Sequence, residues 1–90
     1  MANEAHLAIL KRGVEAWNKW RKENPEIHSN LYGAALHGAD LSGANFSAVD
    51  LNSAHLNGTN LSDASLSGAG LSGAGLSGVI LNGARLWTVS

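Results

Sequence analysis

Ala39-Asp40-Leu41-Ser42-Gly43-Ala44-Asn45-Phe46-Ser47-Ala48 is the stretch that decides the fold: small, polar, large apolar, polar, small, and then the same order again. Worked outward in both directions, the pattern holds for two-thirds of the chain. Its large apolar positions are Leu31, Leu36, Leu41, Phe46, Leu51, Leu56, Leu61, Leu66, Leu71, Leu76, Leu81 and Leu86, twelve places five apart without a miss. Two residues before each stands a small or β-branched side chain, from Ser29 and Ala34 through Val49 and Thr59 to Val79 and Ala84. Two residues after comes Gly in eight of the twelve cases, with Ala48, Ser53, Asp63 and Thr88 in the remaining slots.

A period of five fits neither ordinary element. On an α-helix, five steps of about 100° leave a drift of about 140° per repeat, so the leucines would wind around the axis. On a flat strand an odd period sends successive leucines to opposite faces. A chain that turns a quarter of a circle every five residues points all twelve inward, and four such units close a square coil of twenty residues. Twelve units make about three coils, stacked at the ~4.8 Å spacing of paired strands with backbone groups bonding between coils. Columns twenty residues apart then stack, which sets Phe46 under Leu66 and Leu86 as the one widened point of the core. Glycine two after each leucine supplies the positive φ that the second central residue of a type II turn requires. Ala48, Ser53, Asp63 and Thr88 lack that freedom, so the expectation there is a corner of another type.

This arrangement resembles the pentapeptide-repeat family over residues 29–88. The resemblance implies an all-β solenoid, a right-handed quadrilateral β-helix, and it implies the hand that spacing alone does not give. The leading segment, with Trp17-Asn18-Lys19-Trp20-Arg21 and then Asn24-Pro25, also resembles N-terminal extensions found on bacterial, often cyanobacterial, members.

That leading segment has another character. It carries two of the three Trp, while beyond residue 28 only Asp40, Asp50, Asp63 and Arg85 are charged. From about Glu4 to about Glu23 it reads as one amphipathic helix, N-capped by Asn3, with Leu7, Ile9, Leu10, Val14, Trp17 and Trp20 on one arc and Lys11, Arg12, Glu15 and Lys19 opposite. Asn24-Pro25 stops it, since the residue before proline avoids the αR region and proline has no N–H to donate. The chain thus divides into a capping helix over 1–24, a linker over 25–28, the repeat body over 29–88 and a tail of 89–90.

The ends are the weak points of a short solenoid, because each exposes core side chains and unpaired backbone groups. The helix is the lid for the first coil. A continuous helix of this length spans ~28 Å, whereas three extended residues per face give a coil only ~10 Å on a side. Trp17 and Trp20 lie closest in sequence to the first coil, so Leu7, Ile9 and Leu10 must overhang, fold down a side or meet another protein, and all five are candidate interface residues. At the far end Leu71, Leu76, Leu81 and Leu86, with Ala69, Ala74, Val79 and Ala84, face water. The last coil also turns Ile80, Arg85 and Trp87 outward, where earlier coils carry mostly Ser, Asn or Asp. Val79, Ile80, Arg85 and Trp87 are the second candidate interface, and a homodimer burying the C-terminal coil is the expected partner arrangement, an unidentified protein partner the alternative.

Chemistry is sparse. The chain has no Cys, a formal net charge of -1 and few charged residues, which excludes disulfides, thiolate catalysis, Cys-based zinc sites and a strongly basic nucleic-acid surface. No apolar run approaches the ~20 residues of a membrane span, and no secretory leader is visible, so no membrane partner and a cytoplasmic location are expected. His37 and His55 project from one face about 8 Å apart, too loosely for a metal pair; His6 and His28 have no visible partner. Asp40, Asp50 and Asp63 lie on different faces, the serines have no His–Asp companions, and the glycines from Gly68 to Gly78 lack a P-loop's Lys-Ser/Thr ending. The reading is a non-enzymatic structural or interaction module with no cofactor. The family resemblance adds two alternatives: a DNA-mimicking binder of gyrase or topoisomerase, which three Asp against one Arg on a rod of only ~14 Å argues against, and a regulatory partner in bacterial signalling or differentiation.

Overall fold

The computed structural model describes residues 1–90. Parallel bridges join residues twenty apart in four columns: Asn30 to Asp50 to Gly70, Ala35 to His55 to Gly75, Asp40 to Asn60 to Ile80, and Asn45 to Ser65 to Arg85. Each bridge is an isolated pairing, because the chain bends before a longer strand can form. The pairing is nonetheless bonded in both directions. Leu31 N–H donates to the Asp50 carbonyl at 2.8 Å, Gly33 N–H to Asn52 at 2.9 Å, and Asp50 N–H returns to Ser29 at 3.1 Å. The same three-bond set repeats up each column, satisfying backbone groups that burial would otherwise leave costly.

Every corner from Leu31 to Leu81 is closed by a hydrogen bond from the N–H three residues on to the leucine (or Phe46) carbonyl, at 2.9–3.3 Å. The eight corner glycines sit at φ +68° to +74°. The expectation of a different corner at the four non-glycine slots is overturned. Ala48, Ser53, Asp63 and Thr88 stand at φ +54° to +61°, and at the first three the corner bond is intact. Stacking decides this: a corner of another shape would break the bonds to each neighbouring coil, so the residue accepts the left-handed region at a cost of about 1–2 kcal/mol.

From Leu31 to Leu66 the inward side chains share a dry axis. Leu31, Phe46, Leu51, Leu56, Leu61 and Leu66 are at most 1% exposed, as are Ala44, Val49, Ala54, Ala64 and Ala69 beside them. Ala69, expected to face water, lies low enough in the last coil to be covered. Each fully buried leucine contributes roughly 1.5–3 kcal/mol of transfer free energy. Thr59, the one hydroxyl in an inward column besides Ser29, returns its Oγ1–H to the Leu56 carbonyl at 2.8 Å and so brings no unpaired polar atom into the core.

The leading segment is two helices, not one: α1, Glu4–Lys11, and α2, Val14–Glu23. Asn3 caps α1 through its side chain, accepting from Ala5 and His6 N–H at 2.9 and 3.2 Å. Gly13, at φ +117°, breaks the run. The break resolves the length mismatch, since helices of 8 and 10 residues span only ~12 and ~15 Å and both fit over the first coil. Asn24 ends α2 just before Pro25.

Candidate functional site

Both ends of the solenoid were candidate interaction surfaces, and the structure treats them differently. At the N-terminal end the lid is part of the fold. Leu10 and Trp17 are buried over the first coil and offer no free surface, while Leu7, Ile9 and Trp20 pack against the same cluster and stay half-exposed. The folded-back lid, not an overhanging helix, covers the coil. Trp17 stacks on Phe46 with ring centroids 5.8 Å apart and on Trp20 at 5.3 Å. The widened core position thus faces the bulkiest side chain of the lid.

The lid also supplies the hydrogen bonds that a coil beneath the first would have made. Asn30 N–H donates to His6 Nδ1 at 3.0 Å, and the Asn30 carbonyl accepts from Asn3 N–H at 3.0 Å. Asn45 N–H donates to Asn18 Oδ1 at 2.7 Å, and the Asn45 carbonyl accepts from Trp17 Nε1 at 2.8 Å. Asn18 Nδ2 reaches the Gly43 carbonyl at 3.0 Å. Arg21 donates through Nη1 to Ser29 Oγ at 2.8 Å and through Nη2 to the Ser47 carbonyl, while its Nε is buried without a partner. Two of the four faces are capped in this way. Burial pushes both the Arg21 guanidinium and the His6 imidazole below their ordinary values.

His6 is therefore not partnerless: besides Asn30 it meets the Trp20 ring at 4.9 Å. The sequence signals for Asn18, Arg21 and His6 were weak, because a polar residue on a helix ordinarily faces water. Only the edge they complete gives them their role.

At the C-terminal end nothing comparable exists. The tail begins a further turn: Leu71 N–H donates to the Ser90 carbonyl at 2.6 Å and Ser90 N–H to Ala69 at 3.1 Å. The other three faces are bare. There the N–H groups of Leu76, Leu81 and Leu86 and of the corner residues after them have no partner, nor do the carbonyls of Ala74, Val79 and Ala84. Leu76, Leu81 and Leu86 point inward yet are 43%, 39% and 47% exposed, because the axis is open above them. Leu71 and Val79 are half-buried; Arg85 is exposed, and Ile80 and Trp87 are 46% and 74% exposed. The residues of the second candidate interface are thus half-buried or exposed on the last coil, with Ile80 and Arg85 in successive columns.

The two larger hollows differ in lining. An apolar cleft of about 240 Å³ lies between Met1, Ala2, Leu7, Tyr32 and Ala35, and a polar groove of about 350 Å³ runs along Asn45, Ser47, Asp63, Ser65 and Arg85. No group of three or more His, Asp or Glu side chains is arranged to hold a metal ion, and no helix is long and apolar enough to cross a membrane. The outward polar residues serve the coil. Asp40, Asp50 and Asn60 each accept the N–H two residues on at 2.9–3.1 Å, and Asn52 Oδ1 accepts Ser72 N–H from the next coil at 2.8 Å. Hydrogen bonds from Ser42 hold the exposed Asp40 carboxyl below its ordinary value.

A family model for pentapeptide repeats matches residues 29–68 and 44–83. Among solved structures, HetL, a pentapeptide repeat protein involved in heterocyst differentiation regulation from Nostoc sp. strain PCC 7120, is 35% identical, with 68% of this chain and 31% of that one covered and a TM-score of 0.47. A pentapeptide repeat protein from Cyanothece 51142 is 34% identical over 64% of this chain and 43% of its own, with a TM-score of 0.33. Another from Nostoc PCC 7120, alr5209, is 32% identical over 67% and 62%, with a TM-score of 0.30. This chain thus spans less than two-thirds of the length of each of the three. No curated protein matches the sequence. The family match covers more than half of the chain and coincides with the bridged, five-residue corners, so this chain belongs to the pentapeptide-repeat family, whose fold is a right-handed β-helix.

Proposed function

We propose that this chain is a non-enzymatic interaction module of the cytoplasm: about three coils and twelve repeats of right-handed quadrilateral β-helix, closed below by the lid and presenting its last coil to a partner. The observation that carries this reading is the contrast between a sealed first coil and a last coil whose leucines, Ile80 and Trp87 stand in water beside unpaired backbone groups. Exposed apolar surface of this kind marks an interface. A preformed rigid surface loses little conformational freedom on binding.

The partner we propose is a second copy of the chain. The last coil carries a single charge, Arg85, so two such faces do not strongly repel one another. Its open edge holds both donors and acceptors. A two-fold pairing can bring the N–H groups of one copy to the Ala74, Val79 and Ala84 carbonyls of the other. The involvement of HetL in differentiation suggests a regulatory setting for the same surface, with the last coil as the part that meets another protein. A DNA-mimic role has less behind it, with only Asp40, Asp50 and Asp63 acidic in the repeat body.

Multi-angle light scattering across the micromolar range tests the reading. The expected result is a dimer that dissociates on dilution and that Ile80→Ser with Trp87→Ser abolishes while leaving the circular dichroism unchanged. A monomeric mass at every concentration removes the second copy as the partner.

A further inference from the structure

The chain contains two Asn-Gly pairs, Asn57-Gly58 and Asn82-Gly83, each at the outer edge of a corner and each with its glycine at nearly the same φ, +71° and +74°. Both corners are closed by the same bond, Thr59 N–H to Leu56 and Ala84 N–H to Leu81, at 3.1 and 2.9 Å. Beyond that they differ. Gly58 N–H donates to the Ser77 carbonyl at 2.8 Å, and the Gly78 corner lies directly over it. The Asn57 side-chain amide is folded against Gly75, where a β-carbon would collide with it. Gly83 N–H, on the bare edge of the last coil, has no partner, and Asn82 is exposed.

We propose that Asn82 is a site of spontaneous covalent modification, deamidation through a cyclic imide, and that the identical pair at Asn57 is protected by its place in the stack. In the reaction the Gly83 amide nitrogen gives its proton to water or hydroxide and attacks Cγ of Asn82. The N–Cγ bond forms as the Cγ–Nδ2 bond breaks, and ammonia leaves with a proton returned from solvent. Water then opens the five-membered imide at either carbonyl, leaving aspartate or isoaspartate at position 82. No oxidant, reductant or other co-reactant is needed.

Two physical terms separate the sites. The nucleophile at Gly58 is tied up in a hydrogen bond, whereas at Gly83 it is free. Ring closure also requires the corner to rearrange. Opening the corner at residues 56–59 breaks bonds to the coils on both sides, while opening the one at 81–84 breaks bonds on one side only, so its local opening is less costly. The product places a new carboxylate beside the exposed apolar end. As isoaspartate it also lengthens the backbone of the corner by one methylene, which shifts the Gly83 N–H and the edge that follows it. The modification would thus change the last coil whether or not a second copy pairs with it.

The test is timed incubation of the full chain at mildly alkaline pH, followed by chymotryptic digestion and electron-transfer fragmentation. Cleavage after leucine isolates residues 82–86 and 57–61 as separate peptides, and isoaspartyl methyltransferase labelling reads the product independently. The wild type and the Ile80→Ser, Trp87→Ser variant are run side by side, with a urea-unfolded sample to show that both pairs react when the fold is removed. The expected result is conversion at Asn82 faster than at Asn57 by on the order of tenfold or more in the folded variant, with the two rates converging in urea. Equal rates at the two sites in both folded proteins overturn the proposal. A wild type protected at Asn82 while the variant converts there supports it and shows in addition that the face is covered. Rapid conversion in both, with a monomeric mass, supports it while removing the second copy.

Discussion

The two ends of this solenoid have the same problem and opposite treatments. Each terminates a column of leucines and a rim of backbone groups. Below, α1 and α2 bury the leucines under Leu10 and Trp17 and answer the rim with His6, Asn18, Trp17 and Arg21 in place of another coil's peptide groups. Above, residues 89–90 answer one face, and Leu76, Leu81 and Leu86 stay in water. The comparison teaches that a pentapeptide coil does not seal itself: the inward leucine is buried only where something lies across the axis.

The largest effect follows from one column. Leu61 is 1% exposed and Leu81, twenty residues on in the same column, is 39% exposed. Leu61→Ala should lower the free energy of urea unfolding by about 2–5 kcal/mol, the range for a truncated core leucine. Leu81→Ala should cost under about 1 kcal/mol in dilute protein, because the site can fill with water instead of leaving a cavity. A large loss at Leu81 that appears only in concentrated protein would mean that a second copy completes the core. Equal losses at both positions in dilute protein would break the comparison.

Arg21 comes next. Its replacement by Met keeps much of the apolar stem but leaves Ser29 Oγ and the Ser47 carbonyl without their donor at the sealed rim. Bonds from a charged donor are worth about 1.5–3 kcal/mol, and loss of the partnerless buried Nε returns part of that. Arg21→Met should therefore cost about 1–2 kcal/mol in the same unfolding measurement. Arg85→Met, on the open side, should cost next to nothing.

The body of this molecule was legible because its code is repetitive: one leucine every fifth residue admits one geometry, and the columns that follow from it are the bridges observed. The lid was legible only in outline. Asn3 and Pro25 mark its limits, but Gly13 lies on the apolar arc and reads as a tolerated glycine within a helix until the width of the coil beneath is known. The Asn30 and Asn45 amides that meet His6 and Asn18, and the Ser47 carbonyl that meets Arg21, lie 24 to 27 residues away, and no local pattern connects a helix side chain to the rim of a solenoid. Ala48, Ser53 and Asp63 misled for a related reason. Intrinsic φ preference is a local quantity of about 1–2 kcal/mol, and stacking against the neighbouring coil, on one side for Ala48 and on both for Ser53 and Asp63, outweighs it.

That last point gives a smaller prediction of the opposite sign. Ala48 holds its corner at φ +60°, a strained value for an L-residue, and its methyl group can make no hydrogen bond in return. Ala48→Gly removes the left-handed penalty and adds unfolded-state entropy, a net gain of about 0.5 kcal/mol. Gly58→Ala, in the same turn position, should lose about 1 kcal/mol. A loss in both variants would show that the corner at Ala48 is held by its side chain.

The smallest effect belongs to pH and to a single imidazole. His6 accepts the Asn30 N–H at Nδ1, so its ring carries its proton on Nε2, and desolvation holds its folded pKa below the ordinary 6.5. The unfolded chain therefore takes up a proton first as the pH falls. His6 leaves stability unchanged above about 6.5, and stability declines as the pH drops through that value toward the folded one, where Nδ1–H would confront the Asn30 N–H. Asp40 acts in a separate, more acidic window. Its pKa is lowered from 3.8 by the Ser42 hydroxyl and N–H, so its contribution is present above 3.8 and lost as the pH falls further. His6→Asn keeps an acceptor near the Nδ1 position and cannot take up that proton. In urea titrations, it should flatten the decline just below neutrality and leave the acidic one in place. A decline unchanged by His6→Asn would remove His6 as the titrating group at the sealed end.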